Sequence, residues 1–87
     1  MRLLVFRRPA AEARAHYREH DPERSAAHEE ALQGIRDGSG RDRAFRADKV
    51  GAHLTHVFVK GRDVYDVIVW EVEGADRAVI VYLGPVS

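Results

Sequence analysis

The stretch Val64-Tyr65-Asp66-Val67-Ile68-Val69-Trp70-Glu71-Val72 decides the fold class. It is nearly continuous β-branched and aromatic sequence, with turn signals on either side in Lys60-Gly61-Arg62-Asp63 and Glu73-Gly74-Ala75-Asp76-Arg77. Such a run predicts a central strand with both faces partly covered. Its neighbours, His53-Leu54-Thr55-His56-Val57-Phe58-Val59 and Ala78-Val79-Ile80-Val81-Tyr82-Leu83, predict a strand on each side. Turns this short join strands in an antiparallel meander.

The N-terminal half has another rhythm. Leu3-Leu4-Val5-Phe6 predicts a first strand over residues 2–7, ending before Pro9. Ala10–His20 is rich in helix formers, with Ala10, Ala13 and Tyr17 on a thin apolar stripe. Asp21-Pro22 stops that helix and caps the next, which should run from Pro22 to Arg36 and end at Gly38. Ala27, Ala31, Leu32 and Ile35 form its apolar face, and Arg24, Glu29 and Arg36 are expected mostly outward. The polar stretch Ala44–Gly51 is expected to be a loop. The expected fold is therefore α+β, in the order β-α-α-β-β-β. It is one domain over residues 1–87, an antiparallel sheet with an N-terminal helical hairpin on one face. The opposite face is then open to a partner.

Composition narrows the function. There is no cysteine among the 87 residues, which excludes disulfide scaffolds, thiolate metal sites and thiol catalysis. Val67-Ile68-Val69-Trp70 is the longest aliphatic and aromatic run, far short of the ~20 residues a membrane-spanning helix needs. The opening residues lack the apolar run of a secretory signal, so the expectation is a soluble, cytoplasmic protein with no membrane contact. Net charge is zero, from 14 Lys+Arg and 14 Asp+Glu, which argues against nucleic-acid binding by bulk charge. The charge is nevertheless uneven, with Arg36, Arg41, Arg43, Arg46 and Lys49 clustered before the meander.

The element order and the C-terminal motifs resemble the RelE/ParE superfamily of bacterial toxins. Ala47-Asp48-Lys49-Val50-Gly51 is similar to the Lys-apolar-Gly segment that precedes the meander in that family. Val64–Val72 is similar to its central strand, and Ala78–Gly84 to its last apolar strand. The resemblance implies an intracellular toxin neutralised by a cognate antitoxin. It acts by ribosome-dependent mRNA cleavage in the RelE branch and by gyrase inhibition in the ParE branch. Two departures bear on catalysis. The family's Arg after the strand tyrosine is Asp66, which would repel a phosphate, and the chain ends Gly84-Pro85-Val86-Ser87 without the expected basic or aromatic residues. A binding module without catalysis, either gyrase-inhibitor-like or an inactive toxin homologue, is the alternative. A ferredoxin-like dimer would need a helix where residues 60–63 and 74–77 leave no room.

The candidate catalytic residues are His56, Lys60 and Arg62, near the first turn of the meander. Imidazole suits proton transfer, and the two cations suit charge at a scissile phosphate. His56 shares a strand face with Leu54, Phe58 and Lys60, while His53 points the other way. Arg41, Arg43, Arg46 and Lys49 are candidates for RNA or antitoxin contacts, and Tyr65 and Tyr82 for stacking on a base. Trp70 and Phe58 are read as core. No cofactor is expected. His16 and His20 stand at i, i+4, a spacing that can hold a metal from one helix face, but without a His-Glu-x-x-His motif no metal site is assigned.

Overall fold

Val64–Glu73 is the middle strand of the five-stranded sheet that the described residues form. The computed structural model describes residues 1–38, 44–46 and 52–86. Its elements are β1 (Leu3–Phe6), α1 (Arg8–His20), α2 (Pro22–Asp37), β2 (Ala44–Arg46), β3 (Ala52–Val59), β4 (Val64–Glu73) and β5 (Arg77–Pro85), and the strands lie in the order β1-β5-β4-β3-β2. The α+β class, the helical hairpin and the meander are as expected.

Two features differ from expectation. β1 lies parallel to β5, pairing Val5 with Val79, so the sheet is mixed rather than wholly antiparallel. Part of the polar stretch is a strand, since β2 pairs antiparallel with β3, Phe45 opposite Leu54. Three residues are too few for a period to register in the sequence.

The helix boundaries follow from local chemistry. Asp21 caps α2 by accepting a hydrogen bond from the Arg24 backbone N–H at 3.4 Å, with Pro22 opening the first turn. Gly38 ends α2 at φ 79°, a left-handed conformation that a side chain disfavours. Arg14 on α1 grips both carboxylate oxygens of Glu29 on α2, at 2.9 and 2.6 Å, and ties the hairpin together.

The hairpin covers one face of the sheet. Ala10, Leu32 and Ile35 from the helices meet Val57, Ile68, Trp70, Ala78, Ile80 and Leu83 in a single core. A bulge keeps that set together. Val69 pairs with Tyr82 but Trp70 with Ile80, so Val81 is extra and both Ile80 and Leu83 face the helices. Trp70 is core as expected, donating from Nε1 to Thr55 Oγ1 at 2.9 Å. Phe58 is not core. It is 73% exposed, because strand alternation sends it with His56 to the face the helices leave uncovered.

Candidate functional site

Adjacent residues of β4 point to opposite sides of the sheet. Tyr65 faces the uncovered side and Asp66 is fully buried beneath the helices. An aspartate in the register of Ile68 and Trp70 needs a buried cation, and α2 supplies it. Arg24 donates from Nε and Nη2 to the two Asp66 oxygens at 2.7 and 2.5 Å. His28, with Nε2 at 2.6 Å, completes the clasp. The Arg24 guanidinium lies over the Tyr17 ring at 4.7 Å, and Tyr17 meets His28 edge-on at 5.0 Å.

Burial by itself would raise the Asp66 carboxyl. Hydrogen bonds from Arg24 and His28, and the nearby charge, outweigh it and hold the group below the ordinary carboxylate value. Asp66 therefore does not oppose a phosphate on the uncovered face. Its charge is neutralised on the other side of the sheet. Arg24, expected outward, is instead an inward anchor, and His28 is spent on Asp66.

The uncovered face presents an aromatic strip. The Tyr65 hydroxyl is hydrogen-bonded to His56 Nδ1, and the two rings stack with centroids 5.1 Å apart and planes at 13°. Phe58 lies against Tyr65 at 4.9 Å. Among the described residues, the register neighbours of His56 are Leu54, Phe58 and Val67. Leu3, Val5 and Tyr82 extend the face and are 61%, 37% and 40% exposed. The Tyr82 hydroxyl donates to the Pro85 carbonyl at 2.6 Å, and a Cβ added at Gly84 (φ 157°) would come within 3.1 Å of that hydroxyl. A side chain at position 84 would have to displace the Tyr82 hydroxyl slightly.

The candidate residues separate accordingly. His56 and Tyr65 come together, and Lys60 is exposed in the turn that follows β3. Arg62 does not join them. It donates from Nη1 to Asp21 Oδ1 at 2.7 Å, at the α1–α2 junction, and its hydrogen bond is the main reason that Asp21 titrates below the usual range. Arg46 ends β2 opposite His53, which stacks on Trp70 at 4.5 Å. Arg41, Arg43 and Lys49 lie outside the described residues. No group of three or more His, Asp or Glu among the described residues could hold a metal ion. Among the described residues, no helix is long and apolar enough to cross a membrane.

A signal for the Asp66 clasp was present in the sequence. Arg24, His28, Leu32 and Ile35 fall on one helical stripe at i, i+4, i+8 and i+11, and Asp66 shares the parity of Ile68 and Trp70. A cation and an imidazole on the apolar stripe of one element answer a carboxylate on the apolar face of another.

No protein-family profile matches the chain. No curated relative matches it either. Among solved structures, it is similar to the YoeB/ParE toxin from Agrobacterium tumefaciens at a TM-score of 0.64 and 15% identity, covering 100% of both chains. At that identity the likeness is one of fold, and it extends from β1 to β5: the chain shares the fold of that YoeB/ParE toxin.

Proposed function

We propose that this protein is the toxin of a toxin–antitoxin pair, acting in the cytoplasm on RNA through the uncovered face of its sheet. The stacked and hydrogen-bonded His56–Tyr65 pair beside exposed Phe58 carries this reading. Phe58 and Tyr65 offer ring faces on which a nucleobase can stack. His56 accepts the proton of a ribose 2′-hydroxyl, directly or through the Tyr65 hydroxyl. The freed 2′-oxygen attacks the adjacent phosphorus to form a 2′,3′-cyclic phosphate. The bond to the 5′-oxygen breaks as that oxygen takes a proton from water, and the first proton remains on His56 until it is lost to solvent. Lys60 supplies positive charge for the phosphate. With its charge turned inward, Asp66 does not weigh against this chemistry. A cognate antitoxin has an apolar face to cover in Leu3, Val5, Phe58, Tyr65 and Tyr82.

A second reading is a toxin that binds a protein target without catalysis. It is favoured by the exposed apolar side chains of Leu3, Val5 and Phe58 on this face, which a protein partner would bury. Controlled expression in a bacterium distinguishes the two. Growth arrest with loss of newly made protein, relieved in His56→Ala, supports the nuclease. Arrest that persists in His56→Ala, with translation intact and DNA damage, moves the assignment to the protein-binding reading. No arrest by the wild-type chain rejects both.

A further inference from the structure

A pair of imidazoles stands on the hairpin, apart from the sheet face. His16 and His20 are one helical turn apart on α1, both exposed, with ring centroids 4.7 Å apart and planes tilted by 42°. Neither takes part in the core, in the Asp66 clasp or in the aromatic strip. We propose that His16 and His20 form a two-imidazole chelate for a first-row divalent cation of the Cu²⁺, Ni²⁺ or Zn²⁺ class, with water in the remaining positions. Nitrogen donors without thiolates select that class over Mg²⁺ or Ca²⁺.

Three features of α1 favour the site. The helix is held in place before any metal arrives. Ala10 is fully buried against the sheet, and Arg14 is clamped to Glu29 on α2. Closing the chelate therefore orders only two side chains. His20 also lies in the last turn of α1, where the backbone carbonyls form the negative end of the helix dipole and attract cations. Finally, the Glu19 carboxylate lies 4.0 Å from His20 Nε2 and adds negative charge at the site. The two donors hold the metal together, because the second binds at the effective concentration set by the first. Such linkage raises affinity by roughly 10²–10⁴ over one donor alone.

The test uses the untagged full chain and Ni²⁺ alone, titrated by calorimetry. One saturable site per chain is expected. His16→Ala and His20→Ala should each weaken it by about a hundredfold, while leaving the metal-free melting temperature unchanged. The paired change Ala15→His with His16→Ala keeps the number of histidines but moves one off the shared face, and should weaken binding equally. Absence of saturable binding in the wild-type chain overturns the proposal. So does binding that survives in either single variant or in the shifted one, which would place the metal on other histidines.

Discussion

The two faces of the sheet divide polar and apolar groups in an unexpected way. Under the helices, where apolar residues are the rule, lies a fully buried carboxylate with an arginine and a histidine upon it. On the uncovered face, Phe58 is 73% exposed, and Tyr65, Tyr82, Leu3 and Val5 also reach solvent. The buried polar cluster has its principal hydrogen bonds made and serves to position α2 on β4. The exposed apolar strip leaves ring and aliphatic surface in water, where it gains no burial in the isolated chain. Tyr65 and Asp66 are chain neighbours, so one step of the pleat separates a ring open to solvent from a carboxylate clasped under the helices.

Removing one member of the buried cluster should do the most damage. Asp66→Ala leaves Arg24 and His28 facing each other without an anion, and should cost about 3–5 kcal/mol. Thermal unfolding would register this as a melting temperature lower by more than about 10 °C. Replacing all three together by apolar residues, as Arg24→Met, His28→Leu and Asp66→Leu, should recover most of the loss. If the triple variant is as unstable as Asp66→Ala, the cluster does more than satisfy its own charges. Ile68→Ala, on the same face two residues on, should cost about 3 kcal/mol in urea unfolding, through lost contacts and a residual cavity.

Acid provides a smaller and graded perturbation. The Asp66 carboxyl is held below its ordinary value of 3.8, so its contribution is fully present above that pH. It is lost as pH falls through the folded-state value. The urea midpoints of wild type and Asp66→Asn should therefore differ by a constant amount from pH 7 to about pH 5 and converge below about pH 4. A gap that widens in acid would reverse the assigned sign. The smallest stability effect belongs to the other face. Phe58→Ala should shift stability by less than about 0.5 kcal/mol while reducing growth arrest on expression. A large fall in melting temperature instead would mean that Phe58 supports the fold, and the contrast between the faces would fail.

Much of the architecture was readable in one dimension because it rests on local rules. Asp21-Pro22 and Gly38 delimit α2 through capping and backbone preference, and the Gly-containing turns delimit β4. Strand parity placed His56 and Phe58 on the same side. It does not say that this side is the uncovered one, and without that fact the sequence places Phe58 in the core. Arg62 looked like a neighbour of His56 by number, but its turn brings it to Asp21, 41 residues away in sequence.

What the sequence determined by itself was the two helices, every described strand but β2, and the alternation within those strands, all governed by interactions over a few residues. Tertiary structure decided which face the hairpin covers, that β1 runs parallel to β5, and that Asp66 meets Arg24 and His28 across a separation of some 40 residues. Those outcomes depend on how the faces of separate elements bury one another. A carboxylate that reads as a repelling charge in one dimension becomes a neutralised anchor only when a helix brings two partners to it.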